Sequence, residues 1–196
     1  MGIRLSNLIE RWFPKHEPEL RVGMLGLDNA GKTTILYQLK IERNVEPLPT
    51  VGFNVENVRC GKMLLNIWDV SGDRPRTRTL WQHYNQNTRA IIFVIDATDV
   101  RRLTRAMDEL RWLCCRPELT GAVYLLFANK QDLPGALSAE QLVTLLQLRR
   151  LAQPWAIQEC CAINGVGLAD GLQQLEEMLG SARGRRISGT FSNKLF

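Results

Sequence analysis

The chain has 196 residues, 45% of them hydrophobic, with 25 Lys and Arg against 20 Asp and Glu, a formal net charge of +5. That suits one α/β domain with a real core; no apolar stretch approaches the length needed to span a bilayer, and Arg4, Asn7, Glu10 and Arg11 interrupt the first residues, so no secretory signal is expected. The five cysteines include two adjacent pairs, Cys114-Cys115 and Cys160-Cys161, at no metal-binding spacing, which predicts reduced thiols in a cytosolic protein.

In chain order, residues 1–17 come first as a separate segment. Leu5, Leu8, Ile9 and Trp12 share one helical face, Arg4, Asn7 and Arg11 lie opposite, and Pro14 stops the helix. Met1 to Ser6 fits the N-myristoylation pattern M-G-x-x-x-[ST], with Gly2 as acceptor. One acyl chain binds membranes with an association constant of roughly 10⁴ M⁻¹, so the amphipathic helix is the expected second anchor.

Residues 18–180 form the main domain. Val22 to Leu27 reads as a strand, followed by a helix to about Lys40 and a loop over residues 41–52. Phe53 to Cys60 and Met63 to Trp68 flank Gly61-Lys62 as a hairpin. Ile91 to Ile95 and Val123 to Phe127 are continuous apolar runs, expected of strands buried on both faces. Helical spacing covers Leu103 to Cys115, Ala139 to Leu148 and Leu168 to Leu179, and Ala156 to Ala162 is the last strand. This alternation predicts a mostly parallel sheet with ligands beyond its carboxyl ends. Residues 181–196 form a tail with Arg183, Arg185, Arg186 and Lys194 and no acid, suited to an anionic membrane or an acidic partner, or simply to solvent. Without an aromatic-rich basic motif beside it, nucleic acid is not an expected partner.

Gly26-Leu27-Asp28-Asn29-Ala30-Gly31-Lys32-Thr33 fits G-x-x-x-x-G-K-[ST] between a strand and a helix. Backbone N–H groups of such a loop cradle a triphosphate, Lys32 adds charge at the β/γ-phosphates, and the Thr33 hydroxyl suits Mg²⁺. Asn129-Lys130-Gln131-Asp132 follows a later strand. A carboxylate at Asp132 accepts from both N1–H and N2–H₂ of guanine, and adenine would leave it unpaired. Asp69, in Asp69-Val70-Ser71-Gly72, is placed to hold Mg²⁺ through water. The Gly72 N–H can sense the γ-phosphate, and Thr50 is a second candidate hydroxyl for the metal.

G-L-D-N-A-G-K-T-T-I-L-Y-Q-L-K, P-T-V-G-F-N-V-E, I-W-D-V, N-K-Q-D and C-A-I-N-G-V-G-L together resemble the ADP-ribosylation factor family of small GTPases, from Met1 to about Gly180. The resemblance implies a Ras-like P-loop GTPase fold: α/β, a mostly parallel six-stranded sheet with helices on both faces, plus an N-terminal amphipathic helix. It implies GTP/GDP and Mg²⁺ as cofactors, and nucleotide contacts from Gly26, Asp28, Asn29, Ala30, Gly31, Lys32, Thr33, Thr34, Thr50, Gly72, Asn129, Lys130, Asp132, Cys161 and Ala162. Thr33, Thr50 and Asp69 would serve the metal, Lys32, Gly72 and the residue at position 73 the catalysis. Phe53, Trp68 and Tyr84 would form an effector-reading patch, with core packing as the plain alternative. Expected partners are exchange factors, GTPase-activating proteins, effectors and a membrane surface. The expected protein is a monomer on the cytosolic face of endomembranes (Golgi or related), regulating vesicle traffic, with nucleotide-dependent release of the first helix.

The chain departs from the family pattern after Trp68. Where the family reads D-x-G-G-Q, this sequence reads Asp69-Val70-Ser71-Gly72-Asp73. A glutamine that orients water is replaced by a carboxylate, which puts negative charge where the transition state needs the opposite, so slow hydrolysis is expected. The following Arg74, Arg76 and Arg78 replace a partly apolar surface. Position 73 keeps open a second reading, a GTP-binding effector scaffold with negligible hydrolysis. A P-loop phosphotransferase is disfavoured by the guanine motif.

Overall fold

The computed structural model describes residues 19–41, 54–60, 63–69 and 87–188. Six strands form one sheet in the order β2-β3-β1-β4-β5-β6: β1 (Glu19–Gly26), β2 (Asn54–Cys60), β3 (Met63–Asp69), β4 (Thr88–Asp96), β5 (Val123–Asn129) and β6 (Trp155–Glu159). β2 runs antiparallel to β3, as the hairpin reading expects, and all other pairings are parallel. The α-helices are α1 (Lys32–Ile41), α2 (Leu103–Cys114), α3 (Ala139–Leu145) and α4 (Leu168–Ser188).

The inner strands divide their side chains between two cores by the two-residue period of a strand. Ile92 and Val94 of β4, with Leu125 and Phe127 of β5, pack against Ile35, Leu36 and Leu39 of α1 and Leu168, Leu172 and Leu175 of α4. Ile91, Phe93 and Ile95, with Tyr124 and Leu126, pack against Leu103, Met107, Leu110 and Leu113 of α2 and Leu142 of α3. Burial on both faces explains the unbroken apolar runs.

Several element ends differ from the sequence expectation: β1 starts at Glu19, β4 spans Thr88–Asp96 and β5 runs on to Asn129. Three further differences have a visible cause. β6 stops at Glu159 rather than Ala162, because Cys160 to Ala162 turn out of the sheet and the Cys161 N–H bonds to the Val166 carbonyl at 3.0 Å. α3 stops at Leu145 rather than Leu148, since Gln147 adopts a left-handed conformation with φ 50°. α4 runs past Leu179 to Ser188; no proline stops it, and a glycine in a helix costs only about 1 kcal/mol.

Strand order reverses direction at β1, with β3 on one side and β4 on the other. Loops following β1, β4, β5 and β6 therefore meet at one edge of the sheet, the usual place for a ligand in this architecture.

Candidate nucleotide-binding site

β1 leaves the sheet at Gly26, whose φ is 141° and whose Cβ position would lie 2.2 Å from the Val94 carbonyl oxygen; only a residue without a side chain turns here. The loop continues through Asn29 in the left-handed region at φ 61°. At its far end Gly31, with φ 97°, lies so close to Asn129 that a Cβ would sit 2.2 Å from Nδ2. α1 then starts at Lys32 with no acid in its first turn, so none of its own residues there offsets the positive end of its dipole. Lys32 is buried and donates from Nζ to the Leu27 carbonyl at 2.9 Å, which folds the ammonium under the loop. Thr33 and Thr34 lie exposed beside it. A buried cation, a hydroxyl and a helix N-terminus form a donor set that suits a polyphosphate and its metal.

Asn129 ends β5 and is 1% exposed. Its Nδ2 donates to the Ala30 carbonyl at 2.8 Å, and its Oδ1 accepts from the Ala162 N–H at 2.9 Å and from the Cys160 thiol at 3.6 Å. One side chain thus ties the phosphate loop to the loop after β6. Burial, and secondarily the charge of Cys161, push the Cys160 thiol up to about 12, so it remains a neutral donor.

Lys130 takes a left-handed conformation with φ 69° and bridges from Nζ to Asp96 Oδ2 at 2.6 Å. Asp96, the last residue of β4, also accepts from the Thr98 hydroxyl at 2.6 Å and the Thr98 N–H at 3.0 Å. Burial alone would raise its carboxyl; the bonds from Lys130 and Thr98, with the Lys130 charge, outweigh that and hold it below the usual range. Gln131 donates from Nε2 to the carbonyls of Ala128 and Leu137, clamping the loop from beneath. Asp132 is then left exposed at the tip, free to meet a ligand.

Residues 5–179 match the ADP-ribosylation factor family. The chain belongs to that family. It is similar to the structure of the Arl6 (BBS3) small GTPase from Trypanosoma brucei with bound nucleotide analogue GppNp, at 33% identity and a TM-score of 0.72, over 84% of this chain and 99% of that one. Membership makes this protein a GTP-binding switch of the small GTPase class, with the Ras-like fold its sheet displays.

Of the sequence-predicted residues, the loop from Gly26 to Thr34 stands at the carboxyl edge with Asn129, Lys130, Asp132, Cys161 and Ala162. The Cys161 main chain closes its loop, accepting from the Gly165 N–H at 2.9 Å. The Asn129 amide is engaged on protein main chain at both ends, which makes it the joint of the site. Asp69 ends β3 opposite Met24, and Trp68 stands opposite Gly23. Gly2, Thr50, Phe53, Gly72, Asp73 and Tyr84 lie outside the described residues. Sequence reading passed over Asp96, Gln131 and Arg102. Asp96 had a signal, a lone acid closing an apolar run in the sequence as Asp69 does; the other two act through contacts distant in sequence or internal to a loop.

Proposed function

We propose that this GTP-binding protein is a Mg²⁺-dependent switch that works at a membrane surface, regulates membrane or vesicle traffic, and hydrolyses GTP slowly. The observation that supports the nucleotide part is the Asn129 joint, which ties the loop proposed for the triphosphate to the strand end that leads on to Asp132, the residue proposed to read guanine. Among the described residues no cluster of three His, Cys, Asp or Glu could hold a metal. Mg²⁺ here would rest on the Thr33 hydroxyl and phosphate oxygens, with Thr50 and Asp69 as further candidates, in keeping with how this ion binds beside nucleotides. Bound there, it would neutralise charge on the β- and γ-phosphates.

Slow turnover rests on Asp73, in the place where the family has glutamine. A carboxylate orients water poorly for in-line attack and opposes the charge that develops on the phosphate. Single-turnover hydrolysis should therefore be at least about tenfold faster in Asp73→Gln than in the wild type. Equal rates would remove the claim of slow turnover. No detectable turnover in the wild type would favour the scaffold reading instead.

Membrane action rests on Gly2 and the amphipathic pattern of residues 1–17. Regulators and effectors follow from the family in general, and the cytosolic face of an endomembrane is the setting that fits. Gly2→Ala, which removes the acyl acceptor, should partition onto anionic liposomes much more weakly than the lipid-modified wild type; unchanged partitioning would exclude lipidation of Gly2.

A further inference from the structure

Asp28 puts a negative charge in a loop suited to an anion. It is an acid one residue past Leu27, whose carbonyl holds the ammonium of Lys32. A carboxylate free to turn inward there would repel a terminal phosphate.

Arg102 keeps it turned away. It ends the 3-10 turn Val100–Arg102, just after β4, and its Nη1 donates to Asp28 Oδ2 at 3.0 Å and its Nη2 to the Asp28 carbonyl at 3.3 Å. The other side of the guanidinium is held by Asp99, which accepts from Arg102 Nε on Oδ2 and from the Arg102 N–H on Oδ1 at 3.3 Å. The fork is thus fixed by one acid and engages the side chain and main chain of the other. Slight burial would raise the Asp28 carboxyl, but the bond and charge of Arg102, with a contribution from Arg105, hold it below the usual range. Asp28 keeps 66% of its side chain exposed and Arg102 30%. An exposed pair of this kind adds little to fold stability, so its effect is to be sought at the ligand.

We propose that Arg102 is a positioning residue of the phosphate site, holding the Asp28 carboxylate against the turn after β4 and so keeping its charge off the terminal phosphate of a bound nucleoside triphosphate. Arg102 thereby sets the preference between triphosphate and diphosphate. This rests on the nucleotide reading of the loop.

The test uses the full chain with Mg²⁺ and measures the affinities of fluorescent GDP and of a fluorescent, non-hydrolysable GTP analogue. Arg102→Ala should weaken the triphosphate about tenfold and the diphosphate at most about twofold, since only the former adds charge near Asp28. Asp28→Asn added to Arg102→Ala removes the charge and leaves the main chain of the loop, the part of Asp28 expected to meet nucleotide, in place; it should recover most of the lost triphosphate affinity, and the defect of Arg102→Ala should shrink in high salt. Arg102→Lys, which keeps the charge without the fork, should fall between. Equal weakening of both nucleotides, or no rescue by Asp28→Asn, would overturn the proposal and leave Arg102 a brace of the turn. A wild-type chain with a cooperative melt that binds neither guanine nucleotide would overturn the nucleotide reading itself, and this inference with it.

Discussion

The loop after β1, proposed for phosphate, and the corner after β5 and β6, proposed for guanine, are shaped by different kinds of force. The phosphate loop is a matter of space. Gly26 and Gly31 stand where a Cβ would meet the Val94 carbonyl or the Asn129 amide at 2.2 Å. The guanine corner is a matter of polar partners. Asn129, Gln131 and the Asp96–Lys130 pair hold it through side-chain bonds, most of them to main chain. Steric limits fail abruptly, because packed interiors yield little. Bonded networks fail in proportion to the partners left unsatisfied. Asn129 belongs to both regions, since it fills the space Gly31 leaves and bonds the loops on either side.

Gly31→Ala should have the largest effect of all. The added methyl would collide with Asn129, and a φ of 97° is costly for any L side chain. Binding of GTP and GDP should fall by at least about a hundredfold, as expected when several kcal/mol of strain fall on one site. Titration with fluorescent nucleotide measures it; a loss under tenfold would show that the loop yields and that space is not its limit.

Asn129→Ala should come next. It leaves the Ala30 carbonyl and the Ala162 N–H without this partner, at about 1–3 kcal/mol each in a buried setting. Urea unfolding should register a loss of about 2–4 kcal/mol, with nucleotide affinity falling alongside. Unchanged affinity with lost stability would separate the two regions and deny Asn129 its bridging part.

Asp96→Asn tests the corner alone, and here the effect is graded. Removing a charged partner of Lys130 should cost about 1–3 kcal/mol at neutral pH. The folded carboxyl titrates below its unfolded value, so the advantage of the wild type is full above about pH 4 and is lost as the pH falls through the lower folded value. Thermal melts of both proteins from pH 7 downward should therefore converge in acid. Divergence in acid would reverse the sign of the argument.

Much of this division could be read in the sequence. The glycine pattern from Gly26 to Gly31 encodes the steric region directly, because a residue without a side chain declares a close approach. The cores were legible for a similar reason: Ile91 to Ile95 and Val123 to Phe127 are buried on both faces, and continuous hydrophobicity states that plainly. The polar corner was legible only at its tip. Asp132 and Lys130 belong to a short motif, but the partner of Lys130 is Asp96, reached across the β4–β5 register in which Asp96 faces Asn129. Arg102 reaches Asp28 across 74 positions. Such contacts come from topology, and no local spacing announces them. The ends of β6 and α3 were misjudged for a related reason, since Cys160 to Ala162 and Gln147 leave their elements through turns whose bonds are made elsewhere.

The smallest effect concerns Cys160, where the two kinds of force meet. Its thiol is buried among apolar neighbours and donates a weak bond to Asn129 at 3.6 Å. Its ordinary value is 9.0, and burial raises it to about 12. Between those values the unfolded chain loses this proton and the folded chain keeps it, so stability should drop as the pH rises above about 9. Cys160→Ala removes that dependence at a cost near 1 kcal/mol at pH 7, the size of one weak bond and a small change in volume. The wild type should therefore lose melting temperature faster than the variant between pH 9 and 11. Parallel curves would mean that Cys160 ionises in the fold as readily as in solution, and that water reaches the inner side of the guanine corner.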